Sequence, residues 1–386
     1  MKTAVVVDCV RTPIGRAHVE RGVYRKVRGD DLAAACIKAL IERTGIDPEI
    51  IEDIVLGCTQ QTKEQGLNAA RIIGLMSGGP ISAGGATINR LCGSSLQALN
   101  QAAHSIAAGA EDVHIVGGFE HMQHVPMDHG IDLNPKLFHR TSMGAMQMGY
   151  TAEFLAQTMD ISRSDQDEFA FASHQKAENA YTENAFADEL VEVHGHDEQG
   201  IRIQVTKDQC VRPDTSMAAL SELSPAFMPK YGTVTAGNSS PLNDGAAAML
   251  VMSETRASEL GLRPMAKILS TAVAGVEPAA MGTGPIPAAT KALARAGLSS
   301  SDIGLIELNE AFAAQSLACI RRLKWDLDRI NVRGGSIAIG HPLGASGARI
   351  STTLLHAMRS GDVEFGLATM CIGIGQGIAT VFQQVA

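Results

Sequence analysis

Tryptophan occurs once in 386 residues, aromatic residues make up only 4%, and no two of the seven cysteines form a Cys-x-x-Cys pair. The cysteines stand at 9, 36, 58, 92, 210, 319 and 371, an odd and scattered set that argues against a disulfide framework and suits free thiols in a reducing cytosol. Basic charge is also in deficit. Lys and Arg number 32 against 41 Asp and Glu, a net charge of -9, which argues against a nucleic-acid binder while permitting a local basic pocket for one small anionic ligand. No apolar run approaches the roughly 18 residues of a membrane span. The opening "MKTAVVVDCVRTPIG" has one lysine and a short apolar run before Asp8, too little for a signal peptide, and "FQQVA" carries no prenylation or peroxisomal signal. The expected location is cytoplasmic.

What is present describes a globular, enzyme-like chain: 45% hydrophobic and 19% charged residues, 39 glycines and 16 methionines. The length predicts two or more domain-sized units. "TAVVVDCV" at 3–10 reads as a buried strand, "DDLAAACIKALIERTG" at 30–45 as a helix opened by an acidic cap and stopped by Gly45, and "IEDIVLGC" at 51–58 as a second strand. Strand, helix, strand predicts a parallel sheet.

The same order returns late in the chain. "AACIKALIERTGIDPEIIEDIVLG" resembles "AATKALARAGLSSSDIGLIELN", and "CGSSLQALNQAAHSIAAGAEDVHIVGG" resembles "GASGARISTTLLHAMRSGDVEFGLATM". This duplication predicts two α/β halves packed about a pseudo-twofold axis, with equivalent turns facing one cleft. The halves are expected at 1–120 together with 241–264, and at 265–386. Residues 121–240 lack regular strand spacing and carry a helix pattern at "SRSDQDEFAFASHQKAENAYTENAF". They read as an inserted loop domain covering the cleft or meeting a partner.

Cys92, in "INRLCGSSLQALN", stands where a strand-like approach meets a helix. Helix N–H groups and the dipole would lower its pKa there, although a lone cysteine is more often a small core residue. Partners lie in the second half. His341, in "GGSIAIGHPLGASGAR", precedes the helix that the repeat equates with the Cys92 helix, and is placed to take the thiol proton. "MCIGIGQG" offers Cys371 as an acid/base and glycine N–H groups, including Gly373, for an anion hole. No helix follows this run as a dinucleotide fingerprint requires, so NAD binding is rejected. Asn309, in "ELNEAFAAQ", reads either as a helix cap or as an amide facing the cleft. Gly93, Ser94 and Ser95 are read as small residues leaving room for a thioester.

Taken together, "RLCGSS", "NEAF", "GHPLG" and "CIGIGQG", in this order and across the whole chain, resemble the thiolase family of acyl-CoA:acetyl-CoA C-acyltransferases. "GGFEHMQHVPMDHG", "RPDTS", "GTVTAGNSSPLNDGAA" and "VAGVEPAAMGTGPIPA" resemble the branch that serves as β-subunit of a fatty-acid oxidation complex. The resemblance implies a five-layered αβαβα fold, Cys92 as acylated nucleophile, His341 as its base and Cys371 as acid/base. It makes Asn309 the holder of a water that, with His341, binds the thioester oxygen, and the N–H groups of Cys92 and Gly373 a second hole. It implies CoA contacts at Ser240, Ala236 and Arg212, with Met148, Phe227 and Phe312 as the apolar wall, Phe227 falling in a stretch one residue longer than in some relatives.

The implied reaction cleaves 3-ketoacyl-CoA with CoA in β-oxidation, without metal or redox cofactor, CoA being a substrate. Acetoacetyl-CoA synthesis is the alternative within the same chemistry, and a non-catalytic scaffold the alternative outside it. A ketoacyl synthase would place histidine where Asn309 stands and lack Cys371. His121, His124 and His129, or His194 and His196, lack the paired spacing of a zinc site. The resemblance further implies at least a homodimer, and a larger α2β2 assembly with a hydratase/dehydrogenase α-subunit for which "VPMDHG" is a docking candidate.

Overall fold

The computed structural model describes residues 2–385. The first half runs β1 (Ala4–Arg11), β2 (Gly15–Arg16), α1 (Gly29–Thr44), β3 (Asp53–Gly57), α2 (Ala69–Met76), β4 (Ala86–Ile88), α3 (Ser94–Ala108) and β5 (Val113–His121). An excursion follows, with α4 (Met143–Met146), α5 (Met148–Thr158), α6 (Arg163–Thr182), the small hairpin β6 (Val193–His196) and β7 (Arg202–Val205), and α7 (Met217–Ser221). The chain returns through β8 (Asn243–Ser253) and α8 (Glu254–Glu259). The second half is β9 (Ala266–Gly275), α9 (Pro285–Ala296), β10 (Leu305–Leu308), α10 (Ala313–Leu323), α11 (Ser346–Gly361), β11 (Phe365–Ile372) and β12 (Gln376–Gln384).

The duplication is visible in the sheet order, β4-β3-β5-β8-β1 continuing into β9-β12-β11-β10. The two halves mirror each other about the β1–β9 seam, where only Val5↔Lys267 and Val6↔Ala266 pair. The sheets are mixed rather than parallel. β3 pairs parallel with β4 and β5, and β10 with β11, but β8 and β12 run antiparallel to their neighbours. The reason is the connection: β12 follows β11 through a three-residue turn too short for a parallel crossover.

Side-chain alternation sorts these strands into layers. On β8, Ala246, Ala248, Leu250 and Met252 join one core, while Ala247, Met249 and Val251 join another. On β1 the alternation changes parity across a register shift between Val6 and Asp8, which returns Cys9 to the inner side. α1 and α2 cover the outer face of the first sheet and α9 that of the second. Between the sheets lie α3 and α11, each touching strands of both halves. Counting outward gives α, β, α, β, α, the expected five layers.

α3 and α11 meet at their first turns. A side chain at Gly347 would strike the backbone of Leu96, and Ser95 Oγ accepts the Ala348 N–H at 2.9 Å. This close approach brings the turns before both helices to one place. The acidic opening of α1 differs from expectation: its N-cap is Arg28, and Asp30 in the first turn grips the Arg28 guanidinium at 2.7 Å instead of capping. Gly45 ends the helix with φ 64° as expected. The excursion packs on the second half, α5 and α6 against α10. A buried triad ties it to the first: Arg11 Nε meets Glu189 at 2.6 Å and Nη1 meets Asp208 at 2.8 Å.

Candidate active site

Cys92 lies two residues before α3, in a turn where Leu91 adopts a left-handed backbone, φ 46°. Such a conformation in a non-glycine residue persists only where its surroundings hold it. Cys92 is 5% exposed and packs in the inner core, yet its sulfur also faces a cavity and the backbone N–H of Gly373. The expected depression of its pKa is not found. Burial pushes the thiol up to about 11, opposed by the N–H groups of Gly373 and of Cys92 itself. The cost of desolvating a thiolate outweighs a helix terminus that begins two residues away.

His341 follows Gly340, whose φ is 125°, and its N–H donates to Asn243 Oδ1 at 2.8 Å. Burial, reinforced by the Arg349 charge, lowers its pKa to about 3. Its tautomer follows from one neighbour. Ser346 Oγ donates its single hydrogen to the Pro342 carbonyl at 2.8 Å, so it accepts from His341 Nδ1–H at 2.6 Å. Nε2 is left with its lone pair.

Asn309 is not the cap of α10, because the cap is Phe312, three residues on. It directly follows β10, its N–H bound to the Thr369 carbonyl at 3.1 Å, and its Nδ2 lies 3.4 Å from His341 Nε2. Cys371 is the penultimate residue of β11, 2% exposed; burial raises its pKa far above the usual thiol range, helped by nearby Cys92 and Cys319. The glycines after it form the β11–β12 turn, where Ile374 and Gly375 take φ 62° and 78°.

Cys92, His341, Cys371 and Gly373 all line one cavity of about 780 Å³, together with Met148, Phe227, Phe312 and Ser240. Phe227 meets Phe312 edge-on with centroids 6.1 Å apart. Asn309 stands behind His341, off the cavity wall. Ala236 and exposed Arg212 line a smaller adjoining cavity of about 250 Å³ that shares Ser239 and Pro241 with the first.

Gly93 and the two serines do not leave room for substrate. A side chain at Gly93 would meet Ile372 and Ile378, Ser94 Oγ bonds the Leu91 carbonyl at 2.6 Å, and Ser95 serves the α3–α11 contact. Their smallness fits helix to helix and turn to strand. The sequence reading missed Ser346, whose spacing from His341 is that of a turn, and most of the cavity wall. Met122, Met127, Met143, Met146 and Met281 join Met148 there, and the surplus of methionine was the available signal.

Glu64, His121 and His124 come together near the start of the excursion. The two rings stack, 3.7 Å apart and 10° from parallel, so their in-plane lone pairs cannot converge on one ion. The contacts are instead internal: His124 Nδ1 meets Glu64 at 3.0 Å, His124 Nε2 the Arg25 carbonyl at 3.0 Å, and His121 Nε2 the Tyr24 carbonyl at 3.1 Å.

Two thiols and an imidazole on a mostly apolar cavity, with backbone N–H groups beside Cys92, define a site for covalent acyl transfer through cysteine. Residues 4–255 match the thiolase N-terminal domain and 262–384 the thiolase C-terminal domain, so the chain belongs to the thiolase family and is an acyltransferase. It is 55% identical over 388 residues to the 3-ketoacyl-CoA thiolase of Shewanella loihica and 54% identical over 390 to that of Photobacterium profundum, covering 100% of both chains in each case. The crystal structure of human mitochondrial 3-ketoacyl-CoA thiolase superimposes with a TM-score of 0.92 at 35% identity, covering 100% of this chain and 99% of the other.

Proposed function

We propose that this chain is a 3-ketoacyl-CoA thiolase working in the degradative direction, through an acyl-enzyme on Cys92. The observation carrying this reading is the shared cavity of Cys92, His341, Cys371 and Gly373. His341 Nε2 takes the Cys92 proton as sulfur attacks the 3-keto carbon, and the N–H groups of Cys92 and Gly373 meet the developing oxyanion. The C2–C3 bond breaks, its electron pair forms the acetyl-CoA enolate, and Cys371 protonates that enolate. A water held by Asn309, together with His341, binds the thioester oxygen meanwhile. Cys371 then deprotonates incoming CoA, whose thiolate displaces the acyl group from Cys92. CoA and its thioesters account for every bond made and broken, so the reaction calls for no resident metal or redox cofactor.

Apolar walls around the thiols support medium and long acyl chains over acetoacetyl-CoA. CoA would lie with its pantetheine along Ser240 and Ala236 and its phosphates near Arg212, in keeping with the adjoining cavity. Mass spectrometry of the intact protein after exposure to a 3-ketoacyl-CoA checks the scheme. The expected result is one acyl adduct, on Cys92, two carbons shorter than the substrate acyl chain; turnover confined to the four-carbon substrate would favour acetoacetyl-CoA chemistry instead.

The reaction is assigned to the cytoplasm, in keeping with seven unpaired cysteines, and no helix among the described residues is long and apolar enough to cross a membrane. A homodimer is supported by exposed Leu67, Ile72, Leu75 and Ile81 near edge strand β4, and light scattering measures it. Assembly with a hydratase/dehydrogenase subunit is checked by co-purification. In "VPMDHG", Met127 and Asp128 line the cavity, which leaves exposed Pro126 and His129 as the outward contacts.

A further inference from the structure

Arg349, on the first turn of α11, is fully buried, and its closest carboxylate is Glu307 at 3.6 Å. Among the described residues its Nε and Nη1 make no hydrogen bond. Nη2 donates to Ser336 Oγ at 2.6 Å. Arginine cannot accept, so this contact occupies a lone pair of Ser336 and leaves its hydrogen free. That hydrogen goes to Asn309 Oδ1, also at 2.6 Å. The carboxamide orientation follows: oxygen toward Ser336, Nδ2 toward His341.

We propose that Ser336 is a positioning residue that fixes the Asn309 amide and polarises it with the buried charge of Arg349, so that Nδ2–H is the donor presented toward His341 Nε2 and the water that binds the thioester oxygen. The inference rests on the role given above to Asn309. Without the serine hydroxyl nothing on that side distinguishes Oδ1 from Nδ2, and a flipped amide would turn its oxygen toward the His341 Nε2 lone pair and remove the donor that holds the water. Hydrogen bonds to a charged group are about twice as strong as neutral ones, and a chain of them strengthens each link. Arg349 therefore acts through Ser336 on a donor it does not touch. Ser336 lines no part of the substrate cavity, so the effect belongs in turnover rather than in CoA affinity.

Steady-state kinetics of Ser336→Ala, Ser336→Thr, Asn309→Ala and the Ser336→Ala/Asn309→Ala double variant test this. Ser336→Ala is expected to lower kcat about tenfold, less than loss of a direct oxyanion donor, with the KM for CoA changed less than about twofold. Ser336→Thr, which keeps a hydroxyl, should restore most of kcat, and the double variant should be no slower than Asn309→Ala alone. Wild-type kcat in Ser336→Ala, or a loss that multiplies fully with that of Asn309→Ala, overturns the inference. If Ser336→Ala does not fold, Ser336→Cys replaces it, a weak donor of similar size expected to be slowed likewise; full activity there also overturns the inference. An unimpaired Asn309→Ala variant would instead remove the role of Asn309 itself.

Discussion

The resting state of the nucleophile can be read with an alkylating agent. With the Cys92 thiol pushed up to about 11 and the His341 imidazole down to about 3, both partners are neutral across the physiological range. Burial thus favours a neutral resting pair over a thiolate–imidazolium pair. The thiolate fraction at pH 7 is then on the order of 10⁻⁴, and it rises tenfold per pH unit. Iodoacetamide inactivation of the free enzyme should increase with unit slope on a logarithmic scale from pH 7 to pH 10, without a plateau, whereas an ordinary exposed thiol levels off above about pH 9. Mass spectrometry identifies the modified residue, and Cys92→Ser supplies the control. In His341→Asn the slope should persist while thiolysis is lost, because the imidazole draws the proton only during attack. A plateau beginning near pH 6, moved upward by His341→Asn, would refute the reasoning and establish a preformed ion pair.

Four further substitutions test other contacts. Ser346→Ala releases His341 from its tautomer and should lower kcat about 10²-fold with the KM for CoA unchanged; an unaffected kcat shows that Nε2 keeps its lone pair without the serine. Cys371→Ser removes the acid that quenches the enolate, and turnover should fall by about 10²–10⁴ in a thiolysis assay. Gly340→Ala would put a Cβ 2.6 Å from Ile14 and 2.7 Å from Asn243 at a φ of 125°; a loss of about 3 kcal/mol should appear in thermal denaturation, and an unchanged midpoint argues that this turn can move. Arg11→Met leaves buried Asp208 without an ion-pair partner and Glu189 with Arg333 alone, at 3.7 Å, and a loss of about 3–5 kcal/mol should be measurable by urea unfolding.

Local signals and global ones were unequally legible in the sequence. The duplicated helices and strands could be read because periodicity and the Gly45 stop are local, and the mirror order of the sheet follows from that duplication. The direction of β8 could not, since it depends on where a long excursion returns the chain. Chemical residues stood out when glycines flanked them, as at His341 and Cys371. Ser336 and Ser346 did not, because their meaning lies in which neighbour takes their one hydrogen. The balance acting on the Cys92 thiol was hidden for a similar reason: helix proximity shows in sequence, but the depth of burial that opposes it does not.

That burial bears on why two halves are needed. A thiol held neutral in an apolar site resists oxidation and stray alkylation, but it needs charge stabilisation when it reacts. The first half supplies Cys92, while the second supplies the base, the second thiol and the Gly373 N–H. The α3–α11 contact at Leu96 and Gly347 therefore does more than fill the central layer. It sets the separation between nucleophile and base, so a bulky residue at position 347 should impair acylation even where the chain still folds.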